Sequence, residues 1–279
     1  MKMRKVIKTV RGTNQIDGAG VHLVRVIGYN DVKDFDPFLM LDTFDSKNPQ
    51  DYIKGFPWHP HRGIETVTYL INGRIEHGDS LGNKGVINNG ECQWMTAGSG
   101  IMHQEMPKAA DHMLGFQLWI NLPQKDKMTE PRYFDIRKDM VTTVDEENAV
   151  IKIISGEYKG HSGARGKHVD ALLLDIQVKP GESFQMPIDP SSNMFVYIIE
   201  GSGFFGNDAV IEIPYRAAVL FDRNGDFQVR AGNNGIRFAL FAGKPLEEPV
   251  AWGGPIVMNT REELNRAFLA LEDDTSIKR

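Results

Sequence analysis

The chain has 279 residues, of which 41% are hydrophobic and 25% charged, and its formal net charge is −5. This composition is typical of a folded globular protein and excludes extensive disorder. The net negative charge argues against direct binding of nucleic acid, because proteins that bind nucleic acid present clustered lysines and arginines to the phosphates.

Cysteine usage and apolar patterning limit the chain further. The single cysteine, Cys92, excludes an internal disulfide and a thiolate metal cluster. The basic start MKMRKVIKTVRG lacks the apolar run of a signal peptide. Apolar stretches fall short of the roughly 18 to 20 residues that cross a bilayer. We therefore expect no membrane association and a cytoplasmic location.

Short apolar or alternating runs, separated by glycine, asparagine, aspartate and proline, dominate the chain. Such runs predict an all-β sandwich or barrel. The predicted strands are Val21–Ile27, Phe38–Phe44, Ile64–Ile71, Phe116–Leu122, Ile151–Ser155, Ala171–Val178, Met194–Glu200, Val210–Ile213, Ala217–Phe221 and Ile236–Phe241. Three Asn-Gly pairs supply residues that tolerate the positive φ of tight hairpin turns. They are Asn72-Gly73, Asn89-Gly90 and Asn224-Gly225.

A weak internal repeat divides the chain. The strand and glycine turn of Ile64–Gly73 resemble those of Met194–Gly203, and a further glycine- or proline-led strand follows each. The repeat predicts two tandem β-barrels with a boundary near residue 135. The expected domains are residues 1–135 and residues 136–279.

One helix is predicted near the C-terminal end, at about residues 260–272. Thr260 and Glu263 have the spacing of a capping box. Leu264, Phe268 and Leu271 recur at intervals of four and three residues, so they form one apolar stripe. We expect this stripe to pack against a barrel.

Two pairs of polar side chains have the spacing of metal ligands. His59 and His61 flank Pro60, which favours extended backbone, so both imidazoles project from one face of a strand. His103 and Glu105 have the same spacing about forty residues later. On neighbouring strands, about 4.8 Å apart, the two pairs can enclose one cation. Three nitrogens and one carboxylate suit Fe, Mn, Ni, Cu, Co or Zn, and do not suit calcium or magnesium.

Glu65, His77 and Cys92 lie near these pairs in the sequence, and a different position is expected for each. Glu65 follows His61 by four residues, so in extended backbone the two side chains project from the same face. We expect Glu65 either beside the metal site or in a buried ion pair with a residue such as Arg62. His77, in a predicted hairpin, is expected at the surface. Cys92 is expected to be a small interior residue of a barrel. The second half of the chain has Ser191–Tyr197 where the first has its histidine pair, so we expect no second metal there.

Several segments resemble the pirin family over nearly the whole chain. These are Phe35–Asp42, Phe56–Leu70, Gln93–Pro107 and the tail GPIVMNTREE at residues 254–263. The resemblance implies a bicupin, with two double-stranded β-helix barrels and iron, as Fe²⁺, bound only by the N-terminal one. The family's ligands match His59, His61, His103 and Glu105 here.

The resemblance also implies a function. Bacterial pirins suggest a quercetin 2,3-dioxygenase, which uses O₂ to open the ring of a flavonol and releases carbon monoxide, with Glu105 as the catalytic general base. The alternative is an iron-dependent, redox-sensing regulator that binds transcription factors or metabolic enzymes. A third interpretation is a closed, purely structural metal site.

Overall fold

A computed structural model describes residues 2–206 and 210–272 of the chain. Strands dominate it, two barrel units are present, and a helix follows them, so the predicted all-β bicupin with a C-terminal helix is confirmed. The last residues of the predicted second domain, 273–279, lie outside the described part of the chain.

The strands are β1 (Val6–Val10), β2 (Thr13–Asp17), β3 (Val21–Ile27), β4 (Phe38–Ser46), β5 (Phe56–His61), β6 (Ile64–Asn72), β7 (Ile75–Asp79), β8 (Lys84–Ile87), β9 (Cys92–Thr96), β10 (Ile101–Pro107), β11 (Met113–Asn121), β12 (Arg132–Ile136), β13 (Thr142–Asp145), β14 (Ala149–Ser155), β15 (Glu157–Tyr158), β16 (His161–Ser162), β17 (Leu172–Val178), β18 (Ser183–Met186), β19 (Asn193–Phe205), β20 (Ile213–Pro214), β21 (Ala217–Phe221), β22 (Phe227–Gly243), β23 (Ala251–Gly253) and β24 (Ile256–Met258). The α-helices are α1 (Val32–Phe35) and α2 (Arg261–Glu272), and the short 3-10 helices are Tyr29–Asp31, Pro49–Asp51, Gln124–Asp126 and Lys138–Met140.

The first barrel is formed by two antiparallel sheets. The larger has seven strands in the order β12-β9-β6-β11-β4-β3-β2, and the smaller has four in the order β5-β10-β7-β8. β6 and β9 alternate little in burial, because all of β9 and most of β6 are inaccessible to solvent. This barrel contains all the predicted metal ligands, and β5 and β10 lie next to each other in its smaller sheet.

The second barrel is built on one large sheet in the order β1-β21-β19-β22-β17-β14-β13, to which β18 and β20 add through β22 and β19. Its interior is apolar and aromatic. Alternate residues of β17, β19 and β22 supply much of it, including Ile176, Val196 and Phe238. Burial of such side chains, at about 25 cal/mol per Å² of apolar surface, is the dominant stabilising term in a barrel of this kind.

The compact units of the structure interleave in sequence. One combines residues 13–32, 38–138 and 246–272, and the other combines residues 2–12, 33–37 and 139–245 without the undescribed positions 207–209. Strand β4 and helix α2 thus belong to the same compact unit as the four predicted ligands. The division into residues 1–135 and 136–279 stays a prediction.

Local structure follows the sequence pattern closely, with one exception. The three turn glycines Gly73, Gly90 and Gly225 have φ values of 122°, 78° and 105°, as their Asn-Gly turns require. The predicted strand at Val210–Ile213 was wrong, because strand structure there is limited to Ile213–Pro214. Val210 and Ile211 are 87% and 74% exposed, so their apolar character does not reflect burial.

Helix α2 begins as predicted. Thr260 Oγ1 accepts from the Glu263 backbone N–H at 3.1 Å, and Glu263 Oε2 accepts from the Thr260 N–H at 3.0 Å, which is a capping box. The helix packs with Leu264 and Ala267 on Ile256 and Met258 of β24. Phe268 is 38% exposed, so it lies at the margin of the apolar stripe. Within residues 2–206 and 210–272, neither helix is long and apolar enough to cross a bilayer.

Candidate metal centre

Strand pairing brings the two predicted ligand pairs together. β5, the edge strand of the four-stranded sheet, runs antiparallel to β10 with His59 opposite His103. The register then shifts, so that Glu105 faces Phe56. Pro57, which has no N–H to donate to a sheet, lies in this irregularity, as expected for proline in an edge strand.

Three histidines converge in the interior of the first barrel. The donor nitrogens of His59, His61 and His103 all lie within 4.8 Å of one another. Nε2 of His59 is 3.1 Å from Nε2 of His61. The ring of His103 is centred 4.3 Å from that of His59 and 5.0 Å from that of His61. His61 and His103 are buried, whereas His59 is partly exposed, so the cluster is closest to solvent at His59.

Backbone carbonyls select the tautomers of two rings. Nδ1 of His59 donates to the Pro57 carbonyl at 2.8 Å, and Nδ1 of His61 donates to the Pro255 carbonyl at 3.2 Å. Each Nε2 is then a lone-pair acceptor, and two acceptors 3.1 Å apart repel each other unless a cation lies near both.

His103 supports the same conclusion. Neither of its ring nitrogens has a hydrogen-bond partner among the described residues, although the residue is 0% exposed. Buried polar atoms without partners are rare and costly in folded proteins. The three imidazoles therefore fit a borderline divalent metal, which takes neutral nitrogen ligands.

Burial keeps the rings of His61 and His103 neutral. It lowers the pKa of His61 to about 3, with a further contribution from neighbouring His59 that outweighs the hydrogen bond to Pro255. Burial also lowers the pKa of His103 well below the ordinary value, and the adjacent His61, His59 and His77 add to the effect. Neutral imidazole is the form that binds metal, so no proton competes for these sites near neutral pH.

Glu105 lies on the same inward face of β10 as His103 but outside the cluster of three. Its Oε1 accepts from Thr68 Oγ1 at 3.2 Å and from Gln117 Nε2 at 3.0 Å, and its Oε2 accepts from the same Gln117 nitrogen at 2.8 Å. Trp119 Nε1 in turn donates to Gln117 Oε1 at 3.3 Å. The carboxylate is therefore held in place by side chains of β6 and β11.

The predicted surface position of His77 was wrong. Its side chain is fully buried, stacks on Tyr133 with ring centres 4.5 Å apart, and lies 5.4 Å from the ring of His103. Nε2 lies 3.4 Å from Asp79 Oδ2. The hairpin was recognised correctly, but β7 pairs with β10 inside the barrel wall, with His77 opposite Glu105. His77 thus flanks the cluster.

The other two residues singled out from the sequence are buried as well. Glu65 is 0% exposed and accepts from Thr96 Oγ1 at 2.7 Å, and burial raises its pKa to about 7. Arg62 donates to the Ser99 carbonyl at 2.7 Å. Cys92 is 1% exposed, which confirms its interior position, and burial raises the pKa of its thiol.

Several residues around the cluster have no sequence signal. Gln117, Thr68 and Pro255 come from three distant segments, and a glutamine or threonine in a strand is indistinguishable by pattern from a surface residue. Pro255 contributes only a backbone carbonyl, which any residue type could supply. The sequence offered one indication: Gln117 and Trp119 are two residues apart in β11, so their side chains project from the same face of the strand.

Two barrels in one chain, one of which encloses a buried histidine cluster, define a two-domain cupin protein. Family models agree with this class. The model described as Pirin matches residues 20–120, and the model described as Pirin C-terminal cupin domain matches residues 173–276.

Individual relatives match over almost the full length. A pirin-like protein of Caulobacter vibrioides is 43% identical over 272 residues, covering 96% of this chain and 97% of the relative. A Pseudomonas aeruginosa protein with the provisional name quercetin 2,3-dioxygenase is 39% identical, with 98% of each chain covered. The crystal structure of quercetin 2,3-dioxygenase from Acinetobacter baumannii has a TM-score of 0.88 at 29% identity, with 97% of each chain covered. The chain belongs to the pirin family.

Proposed function

We propose that this chain binds one divalent metal ion through His59, His61, His103 and Glu105, with Fe²⁺ as the physiological metal. The observation that supports the proposal best is the convergence of three imidazoles, of which His103 is buried with both ring nitrogens unpartnered among the described residues. Glu105 is proposed as the fourth ligand because it shares the inward face of β10 with His103. Mn, Ni, Cu, Co and Zn also suit this donor set.

We further propose that the protein is a dioxygenase that opens flavonols such as quercetin with O₂ and releases carbon monoxide. The names of the Pseudomonas and Acinetobacter relatives support this substrate class. The proposed location is the cytoplasm, which fits the lone, buried cysteine. A bound iron would supply Lewis acidity toward the substrate's oxygens and one-electron chemistry toward dioxygen.

The chain's own residues have defined tasks in this scheme. Glu105 accepts the proton of the flavonol hydroxyl as general base. Gln117 and Thr68 hold its carboxylate by three hydrogen bonds, so the accepting oxygen is oriented before substrate arrives. His59, the partly exposed member of the cluster, marks the side from which substrate enters.

The test combines metal analysis with turnover. Freshly purified protein is expected to contain about one metal ion per chain by elemental analysis, and the iron-loaded form should bleach quercetin in air and evolve carbon monoxide. His59→Ala should lose both properties, whereas His161→Ala, at an exposed histidine of the second barrel, should retain them. Absence of metal from both proteins would contradict the proposed site.

A protein that binds metal but leaves quercetin intact would contradict the dioxygenase alone. The regulatory alternative then predicts that protein partners captured by the ferrous and ferric forms differ.

A further inference from the structure

Three aromatic side chains form a continuous series from the surface to His61 of the histidine cluster. Tyr29, 67% exposed, lies with its ring centre 5.8 Å from that of Trp252. Trp252 lies 5.7 Å from Trp119, and Trp119 lies 4.9 Å from His61, edge to face. We call Tyr29, Trp252 and Trp119 the aromatic series.

The series is assembled from separate parts of one compact unit. Tyr29 comes from the 3-10 helix before β4, Trp252 from β23 and Trp119 from β11. Trp119 is part of a buried apolar cluster on which Trp252 packs. Tyr29 is mostly in water, so core packing alone gives no reason for its ring to lie over Trp252.

Both indoles are tethered by their N–H groups. Trp119 Nε1 donates to Gln117 Oε1 at 3.3 Å, and Trp252 Nε1 donates to the Gly254 carbonyl at 2.8 Å. Neutral amide oxygens accept these hydrogen bonds but do not take the proton. They stabilise the positive charge that an indole carries after losing one electron.

Tryptophan and tyrosine are the side chains that lose a single electron most readily, and rings at this spacing exchange electrons much faster than groups separated by the whole distance. We propose that the aromatic series carries one electron between a metal ion held at the histidine cluster and a one-electron acceptor at Tyr29. This inference rests on the proposed metal site. It gives that site a route for changing oxidation state without substrate.

The electron balance is simple. The external acceptor would gain one electron, a ferrous ion held at the histidine cluster would supply it, and each ring would return to its starting state. While Tyr29 is oxidised its phenolic proton passes to water, and the proton returns when the electron arrives from Trp252. Trp252 and Trp119 keep their N–H protons throughout.

The chain offers a clean way to place the acceptor. Asn30 is exposed and adjacent to Tyr29, whereas Cys92 is buried. Asn30→Cys can therefore be labelled selectively with a ruthenium polypyridyl complex. A laser flash and a soluble quencher convert the label to ruthenium(III), the one-electron acceptor, and oxidation of protein loaded with Fe²⁺ is followed by absorbance and by EPR.

The expected result is a rate that falls about tenfold in Trp119→Phe and in Trp252→Phe, equivalent to about 1.4 kcal/mol in activation free energy. Phenylalanine keeps an aromatic ring in place but is far harder to oxidise. Trp58→Phe is the matched control, because Trp58 adjoins His59 yet is 51% exposed and outside the series. Its rate should equal that of the labelled parent.

A second readout does not depend on iron turnover. In labelled protein loaded with Zn²⁺, which supplies no electron, the same flash should leave a tyrosyl EPR signal; in labelled Tyr29→Phe it should leave a tryptophan EPR signal that is lost when Trp119→Phe and Trp252→Phe are added. If Trp119→Phe and Trp252→Phe keep their full iron content and their oxidation rates equal that of the labelled parent, the aromatic series does not carry the electron. The proposed metal site would be unaffected by that result. Slowing in Trp58→Phe alone would overturn the aromatic series too, by placing the route at Trp58. Absence of bound metal by elemental analysis would overturn the metal site and, with it, the inner end of the route.

Discussion

The two barrels share a fold but use their interiors differently. The second barrel is filled with aliphatic and aromatic side chains such as Ile176, Val196 and Phe238. Among its described residues, the buried polar or charged ones are limited to Arg4, Ser155, Asp175 and Ser192. The first barrel buries histidines, carboxylates and amides along the same kind of strand, including His61, Glu65, His77, Asp79, Gln93, His103, Glu105 and Asn121.

The buried charges of the second barrel are also better satisfied. Arg4 donates to four backbone carbonyls, and Asp175 receives two hydrogen bonds from Arg237. In the first barrel, described atoms of Glu65, His77, Trp94 and His103 are buried without partners, whereas among the described residues of the second barrel this holds for Gln228 Oε1 alone. Buried polar groups left unpaired cost stability. We infer that the second barrel contributes more to stability, whereas the first gives up part of its own stability to bury polar side chains.

The largest effect is expected from a cavity in the second barrel. Phe238→Ala removes a ring that is 0% exposed and lies 5.6 Å from the ring of Phe227. We expect the free energy of unfolding to fall by about 3–5 kcal/mol, measured by guanidinium titration. Metal content should stay unchanged, because the proposed metal ligands belong to the other barrel.

Phe204→Ala provides the control for that substitution. Phe204 lies on the same sheet, only partly buried, with the Arg230 guanidinium 4.1 Å from its ring centre. It should cost much less stability. Loss of metal in Phe238→Ala with an unaltered unfolding curve would refute the division of roles between the barrels.

An intermediate effect is expected from Glu65→Gln in the first barrel, and it should depend on pH. Burial raises the pKa of Glu65 from 4.5 to about 7. Below pH 4.5 the carboxyl is protonated in the folded and unfolded states alike. Between pH 4.5 and 7 the unfolded chain loses this proton while the folded protein retains it, so stability declines by up to about 3 kcal/mol across that window and levels off above pH 7.

Glu65→Gln should remove this decline. In metal-free protein at pH 8 the variant should be more stable than the parent by up to about 3 kcal/mol, and at pH 4.5 the two should be equal. Glu200→Gln, at an exposed position of β19, should change stability little at either pH. A constant difference between Glu65→Gln and the parent from pH 4.5 to 8 would show that ionisation of Glu65 is not the cause.

The contrast between the barrels also shows what sequence can predict. Most of the predicted strands, the Asn-Gly turns and the cap of α2 depend on local backbone preferences, so they could be predicted from the sequence. The strand at Val210–Ile213 was placed wrongly, and short strands such as β15 and β23 were not recognised. The spacing of His59, His61 and His103 identified the cluster because strand parity is also local. His77 was misjudged because its burial depends on which strand lies beside β7. The carbonyl of Pro255 and the amide of Gln117 were missed since their roles exist only after distant segments meet.

The smallest effect is the sharpest test of the comparison, because its sign should reverse. His103 is fully buried with both ring nitrogens unpartnered. Replacing it by leucine, His103→Leu, removes that unmet hydrogen-bonding demand. Metal-free His103→Leu should therefore be more stable than the metal-free parent by about 1–3 kcal/mol in urea unfolding.

Added metal should invert the order. A ligand that binds only the folded state stabilises it by about 4.1 kcal/mol at a thousand times its dissociation constant, and His103→Leu forgoes this gain. His112→Leu is the control, because His112 pairs with Asp45 away from the cluster and should respond to metal as the parent does. If His103→Leu instead destabilised the metal-free protein as strongly as Phe238→Ala, His103 would be an ordinary packing residue. The first barrel would then be stabilised by its interior just as the second is.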